Sequence, residues 1–298
     1  MRHPALRLLL PLCLGLACKA PEKEAAELDD TGAPAQVCAA DGPSTTFLMN
    51  KVRFARSAGG VSWGSDLDGE VSAGGGTAGC GKADLVDPEG TPGIDNAFAG
   101  LLPALEQTEA AAISGLLQAS VGAGELLLTV EVLGLDDYQN DDCVAVQFGN
   151  AEGQPLVGAD GELLPGQSFS RNPNDPVTRV DEALVEGGRL TFASDFGIKL
   201  QILDANLDLD VTQGVVRMDM APDGQSATGH FTGGVSIDYM LTEIDKYAID
   251  QGLKDLINTV MPAVGDLKGD TGECDHFSIA FEFDAIPAYF YLDQDEAN

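Results

Sequence analysis

Six of the carboxylates in one glycine-rich stretch have the type and spacing that suit a hard divalent cation. They lie between Trp63 and Asn96, in a segment that shows no hydrophobic period. Ca²⁺ takes about six to eight oxygen ligands, and glycine lets the backbone turn its carbonyl oxygens toward an ion. The candidate metal ligands are Asp66, Asp68, Asp84, Asp87, Glu89 and Asp95.

The same stretch is too poor in apolar residues to be ordered by burial alone. Cys80 lies in its middle and predicts a disulfide, and a bound Ca²⁺ would be a second constraint on the loop. The alternative interpretation is a solvated acidic loop that binds no ion. A second acidic loop, Asp136–Asp142, could complete the same site or form one of its own, but the favoured interpretation of this loop is a solvated turn.

Two tetrapeptides of the stretch, Asp66-Leu67-Asp68-Gly69 and Asp87-Pro88-Glu89-Gly90, resemble the aspartate-rich repeats of extracellular calcium modules such as thrombospondin type 3. The resemblance implies calcium ligation by these acidic residues. The segment is not an EF-hand. Aligning Gly69 with the invariant glycine of that loop puts Gly64 in the first ligand position and Gly75 in the last.

The first 17 residues have the three parts of an export signal: basic residues, an apolar run and small residues ahead of Cys18. The apolar run is shorter than the ~20 residues that span a bilayer. The residues Gly15-Leu16-Ala17-Cys18 resemble the lipobox of bacterial lipoproteins, although Gly15 stands where Leu is usual. This resemblance implies that Cys18 is lipidated. The alternative is an ordinary secretory cleavage after Ala20.

Lipidation of Cys18 would place the protein in the cell envelope. The resemblance to lipoproteins implies a lipid bilayer as the partner of this anchor, and Lys19 after the cysteine favours the outer membrane. Residues 18–37 are rich in Ala, Pro and Glu and predict a flexible tether. As a whole, the chain resembles the uncharacterised acidic lipoproteins of high-GC bacteria, and that likeness implies no activity.

The cysteine count predicts two disulfides in an oxidising compartment. Cys13 would leave with the signal peptide, and Cys18 would carry the lipid or, with cleavage after Ala20, leave with the signal peptide as well. The four that remain allow three pairings, among which the sequence does not choose. The disulfide candidates are Cys38, Cys80, Cys143 and Cys274.

The charge of the exported chain excludes one class of partner. Removal of residues 1–17 leaves 14 basic and 48 acidic residues, a formal charge of −34. Binding of nucleic acid requires clustered lysine and arginine, so nucleic acid is excluded as a natural partner. The same charge argues against binding to anionic lipid surfaces and makes the compact state repel itself, which bound divalent cations would relieve.

The residues that most enzymes need are scarce. The exported chain has two histidines, His230 and His276, and neither a His-Glu-x-x-His nor a Gly-x-Ser-x-Gly signature. A glycosidase needs only two carboxylates, but sugar sites usually stack on aromatic rings and Trp63 is the single tryptophan. We therefore assign no catalytic residue.

These observations favour a lipid-anchored envelope protein that is a binding or structural module stabilised by Ca²⁺. Its partner would be another envelope protein or a surface polymer. One alternative is a carboxylate-dependent hydrolase of the envelope. Another is a carrier of an apolar ligand, held beside Met240, Ile244 and Phe281.

The elements that must position these residues are mainly strands. Residues 38–298 predict a single domain, either a β-sandwich or a strongly curved antiparallel sheet, with two helical segments packed on one face or end. One helical segment follows Asn96, and the other runs from Ile237 to Met261 behind Ser236. A shift of the apolar positions after Ile202 predicts a bulge or bend within one strand. The alternating patterns predict strands at Thr45–Ala55, Leu126–Leu133, Val144–Phe148, Gly188–Phe231 and His276–Phe283.

Overall fold

The fold is mainly β, as the alternating patterns predict, with 47% of the residues in strands and 20% in helices. The chain divides into two units, Met1–Gln36 and Val37–Asn298. The predicted signal peptide, Cys18 and the tether lie outside the described residues. The computed structural model describes residues 38, 42–107, 113–171, 177–202, 205–247 and 251–291.

Twelve strands and four helices are formed by the described residues. The strands are β1 Ser44–Phe54, β2 Leu85–Val86, β3 Pro92–Ile94, β4 Leu128–Leu133, β5 Asn140–Glu152, β6 Gln167–Arg171, β7 Thr178–Glu186, β8 Arg189–Ala193, β9 Phe196–Ile202, β10 Ala205–Met220, β11 Ala227–Ser236 and β12 His276–Phe290. The helices are α1 Ala97–Leu105, α2 Ile113–Ala123, α3 Ile237–Lys246 and α4 Gln251–Val260. Short 3₁₀ turns lie at Ala78–Gly81 and Met261–Ala263.

One antiparallel sheet closes on itself. Its strands pair in the order β1, β4, β5, β7, β8, β10, β11 and β12, and β12 pairs again with β1. Strand β6 lies parallel to β12 and pairs with the end of β5, while β9 pairs with β10. The expected strongly curved antiparallel sheet is therefore confirmed, and it curves far enough for β12 to pair with β1.

Aromatic side chains fill the interior of this sheet. Because side chains alternate across a strand, every second residue of β12 points inward. Phe281 and Phe283 are almost fully buried, and the ring of Phe281 lies 4.7 Å from that of Phe231 and 4.9 Å from that of Phe54. The outward residues of the same strand, such as Ser278, are left to hold the loops that cover the sheet.

Each predicted helical segment consists of two helices, so the single helix expected from Ile237 to Met261 is wrong. Helix α3 ends before Tyr247, whose backbone is extended, and α4 begins at Gln251. The predicted caps are correct. Ser236 accepts a hydrogen bond from the backbone N–H of Tyr239, as expected for an N-cap. No helix among the described residues combines the length and the hydropathy that a membrane-spanning segment requires.

The expected bulge after Ile202 is a second wrong prediction. Ile202 pairs with Ala205 in an antiparallel register, so the shift of apolar positions separates two strands, β9 and β10. An irregularity in register does occur further along β10, between Thr212 and Val215. There Gln213 adopts a φ of +53°, a conformation that L-residues rarely adopt.

Candidate metal centre in the acidic loop

Two disulfides join the four predicted cysteines. The pairs are Cys38–Cys143, with the Cα atoms 5.2 Å apart, and Cys80–Cys274, with the Cα atoms 5.8 Å apart. The first pair ties the residues before β1 to β5. The second ties the middle of the acidic loop to the segment just before β12, so the loop is covalently fixed to the sheet that it covers.

Carboxylates order the loop by accepting hydrogen bonds from its own backbone. Asp66 accepts from the N–H of Gly69 at 2.7 Å, and Asp68 accepts from that of Glu70 at 2.9 Å. Asp95, at the far end of the loop, accepts from the N–H of Leu67 at 2.7 Å. Bonds to a charged acceptor are stronger than neutral ones. Sequence reasoning missed this third means of ordering, although Asp-x-x-Gly is a turn signal that could have indicated it.

Three of the six predicted ligands meet at one point. Oxygen atoms of Asp66, Asp68 and Asp95 all lie within 4.8 Å of one another. Oxygens bound to one Ca²⁺ at about 2.4 Å can be separated by no more than ~4.8 Å, so this spacing suits a shared ion. Asp95 is only 2% exposed, whereas Asp66 faces solvent. The arrangement has a buried floor and an open side.

Asp95 and two carboxylates near it, Asp84 and Asp266, lie close to other negative charges and have no basic partner among the described residues. Burial, together with the charges of Asp68, Asp266 and Asp84, raises the pKa of Asp95 to about 7. Burial and neighbouring carboxylates also raise the pKa of Asp84, and burial raises that of Asp266 to about 6. In the part of the chain that the structure describes, no lysine or arginine forms an ion pair with Asp84, Asp95 or Asp266. A bound cation would favour their charged forms.

Asp84 lies beside the group but outside its shared coordination distance. Its Oδ2 accepts a hydrogen bond from the backbone N–H of Ser72 at 2.5 Å. Ser72 is also bonded to the backbone around Cys80, through the carbonyl oxygens of Ala78 and Lys82. The role that the structure gives to Asp84 is therefore to hold the disulfide-bearing turn against the first half of the loop.

Asp87 and Glu89 lie apart from the group and face arginines instead. Glu89 Oε1 is 2.5 Å from Nη2 of Arg217 and 3.0 Å from Nη2 of Arg189, and these contacts lower the pKa of Glu89 to about 2. The buried Asp87 accepts from the N–H of Thr91, and its other oxygen lies 3.9 Å from Arg217. Because the sheet supplies their counterions, these two predicted ligands do not belong to the candidate centre.

A cleft opens next to the centre, on the side of α1. Its volume is about 250 Å³, and its polar lining includes Asp84, Asp95 and Asp266. Asp266 accepts hydrogen bonds from both the backbone N–H and the hydroxyl of Ser278. The same hydroxyl accepts from the N–H of Ala97, the first residue of α1. One outward serine of β12 thus joins the start of the helix to the wall of the cleft.

The two histidines have structural surroundings. Trp63 stacks on His230 with the ring centroids 5.2 Å apart, and burial lowers the pKa of His230 to about 4, which keeps it neutral. His276 Nδ1 lies 2.7 Å from Oδ1 of Asp275. Neither histidine forms a hydrogen bond with a serine in the described ranges.

Comparison with protein-family models, with curated proteins and with solved structures found no match to this chain. Its function is therefore argued from the site. The observations that bear on it are the shared coordination distance of Asp66, Asp68 and Asp95, the disulfide at Cys80 and the adjoining cleft.

Proposed function

We propose that this chain is a lipid-anchored binding or structural module of the bacterial cell envelope, and that its acidic loop holds Ca²⁺. The observation that carries the proposal is the meeting of Asp66, Asp68 and Asp95 within 4.8 Å. The export signal and the two disulfides support an oxidising compartment outside the cytoplasm. There Ca²⁺ is abundant enough to fill weak sites. The partner is an envelope protein or a surface polymer.

The donor set favours Ca²⁺ over other metals. The three side chains that meet are all carboxylates, and hard oxygen donors suit Ca²⁺ or Mg²⁺ rather than zinc or copper. Mg²⁺ demands a nearly ideal octahedron, whereas Ca²⁺ tolerates irregular sets with backbone carbonyls and water. An open, glycine-rich loop supplies an irregular set of oxygen ligands of the kind that Ca²⁺ tolerates.

Thermal unfolding in Ca²⁺ and in chelator tests the metal proposal. The full chain is produced with Cys18→Ser, which prevents lipidation. Saturating Ca²⁺ at about 100 times its Kd adds about 2.7 kcal/mol, so we expect the midpoint to rise by roughly 5–10 °C. Mg²⁺ at the same concentration is expected to raise it less.

A matched pair of variants separates metal binding from loss of a turn. Asp68→Asn removes one charge of the centre, and we expect it to abolish most of the Ca²⁺ response. Asp160→Asn is the control, because Asp160 accepts from the N–H of Glu162 as Asp68 accepts from that of Glu70. A wild-type midpoint that is the same in Ca²⁺ and in chelator would remove the metal from the proposal.

The lipid anchor has its own test. In a bacterial host, the wild-type chain should incorporate an alkyne-labelled fatty acid and sediment with the outer membrane. The Cys18→Ser variant should do neither. Incorporation of label into the Cys18→Ser variant would contradict anchoring at this residue, and an unlabelled wild-type chain would favour cleavage after Ala20.

A carboxylate-dependent hydrolase is the second candidate, favoured by one observation. Asp95 lines the cleft with a pKa of about 7, which is typical of a general acid, and Asp84 would be the second carboxylate. It ranks second because the lining of the cleft is polar or aliphatic and offers no ring for a sugar. Turnover of an envelope polysaccharide that disappears in Asp95→Asn would reverse this order.

The carrier alternative finds less support. It needs space for an apolar ligand beside Phe281, between the sheet and α3. The ring of Phe281 is instead in contact with those of Phe54 and Phe231 and is 1% exposed. Close packing of this kind leaves little room for a guest.

A further inference from the structure

The cleft beside the centre gathers negative charge that the described part of the chain does not neutralise. Asp95 and Asp266 are 2% and 4% exposed, and Asp84 joins them in the lining. The basic side chain in the lining, that of Lys82, donates an Nζ–H hydrogen bond to the carbonyl oxygen of Ala263 rather than to a carboxylate. The cleft therefore has an acidic wall without a cationic partner.

The two carboxylate oxygens of Asp95 have different surroundings. Its Oδ2 accepts from the N–H of Leu67, but within the described ranges no donor reaches Oδ1. Oδ1 is not one of the fully buried atoms that lack a partner, so it is accessible from the cleft that Asp95 lines. An N–H donor that enters the cleft can therefore bond to Oδ1, and a charged donor forms the stronger bond.

We infer that the cleft receives the cationic side chain of a lysine or arginine from a protein partner in the envelope. This inference deepens the proposed binding function and rests on it. The volume of about 250 Å³ is below the ~300–1,000 Å³ of sites for small molecules, and one long side chain suits it. The aliphatic walls would contact the methylene stem, and the carboxylates would bind the charged end. Those walls are Ile94, Ala97, Ala263 and Val264.

A second metal ion suits the cleft less well than a side chain. Both oxygens of Asp266 are already bonded to Ser278, which leaves them fewer lone pairs for a metal. Ca²⁺ needs about six to eight oxygens, and much of the lining carries methyl groups instead.

Amide-capped amino acids test the inference directly. The full Cys18→Ser chain, with Ca²⁺ present, is titrated with N-acetyl-arginine methylamide, its lysine counterpart and its norleucine counterpart. The readout is the NMR shift of the backbone amides of Ala97 and Gly100, which line the cleft. We expect at least one cationic probe to give saturable shifts and to bind at least ten-fold more tightly than the norleucine probe.

A variant that fills the cleft provides the control for location. A Cβ added at Gly100 would meet no atom within 4 Å, and Gly100 lines the cleft, so Gly100→Leu is expected to occupy part of the open space. It should weaken binding of the cationic probe at least ten-fold, with Ala97 as the remaining reporter. Gly115→Leu is the matched control, because Gly115 is exposed on α2 with equally open surroundings, and it should bind as the parent does.

Two results would overturn the inference: cationic probes that bind no better than norleucine, and binding that Gly100→Leu leaves unchanged. The Ca²⁺ response is measured separately by thermal unfolding, so the two proposals can fail independently. If Ca²⁺ stabilises the chain but no cationic probe binds to it, the metal proposal stands and the cleft inference fails. If the chain binds the probe but its unfolding midpoint is the same in Ca²⁺ and in chelator, the cleft inference stands and the metal proposal fails.

Discussion

Two groups of carboxylates in the same acidic loop have opposite electrostatic surroundings. Glu89 forms ion pairs with Arg189 and Arg217, and its pKa is lowered to about 2. Asp95, only a few residues further along the chain, is buried near Asp68, and its pKa is raised to about 7. The first group, Asp87 and Glu89, has its counterions within the fold. The second group, Asp66, Asp68 and Asp95, has none among the described residues.

The difference is made by the surface that each group meets. Strands β8 and β10 present arginines to the first group. At the second group the available donors are backbone N–H groups, such as that of Leu67. Composition alone makes all six acids look equivalent as metal ligands. Only the second group gains from an external cation.

The largest expected effect comes from cutting the loop away from the sheet. Cys80→Ser with Cys274→Ser should lower the free energy of unfolding by about 2–5 kcal/mol and remove the Ca²⁺ response, because the tie that holds the second group in place is lost. Cys38→Ser with Cys143→Ser should be destabilising to a similar degree but keep the response. Denaturant unfolding with and without Ca²⁺ measures both. Equal responses in the two double variants would contradict the role given to Cys80.

The next effect is on the pH dependence of stability, where the two groups should differ in sign. The raised pKa of Asp95 means that the folded state holds its proton more tightly than the unfolded state does. Its contribution is therefore fully present below about pH 4 and is lost as the pH rises to about 7. In chelator at pH 7.5, Asp95→Asn should be more stable than the parent by on the order of 2 kcal/mol, with a flatter profile.

Glu89→Gln provides the opposite case. The lowered pKa of Glu89 gives stability that is present above about pH 4.5 and lost as the pH falls toward 2. The variant should therefore be less stable than the parent at neutral pH. Midpoints measured from pH 3 to 8 compare the two. An Asp95→Asn variant that is less stable than the parent at neutral pH would break the comparison.

Much of the sheet could be predicted from the sequence because its signal is local. Alternation at Phe277, Ile279, Phe281 and Phe283 identifies β12, and Asn96 identifies the start of α1. Closure could not be predicted in this way. It depends on β1 pairing with β12 across more than two hundred residues, and no local pattern encodes that register.

The candidate centre was predictable in part for the same reason. Asp66 and Asp68 lie in one turn, so their proximity can be inferred from spacing. The separation of Glu89 from them could not, because its partner Arg189 lies 100 residues away in the chain. The break between α3 and α4 could not be predicted either. It lies at the extended backbone of Tyr247, and no glycine or proline there indicates the end of a helix.

The smallest expected effect tests whether the two groups are independent. Arg189→Gln removes one of the two arginines beside Glu89, and because the Arg189 side chain is 38% exposed, the loss should stay below about 1 kcal/mol. At about 1 M salt, where the Debye length is about 3 Å, the difference from the parent should shrink. Arg179→Gln is the matched control, since Arg179 is 37% exposed and pairs with Asp181. Both variants should keep the full Ca²⁺ response in thermal unfolding. A reduced response in Arg189→Gln alone would mean that the arginine-paired group also supports the metal centre, and that Glu89 contributes to ion binding from a distance.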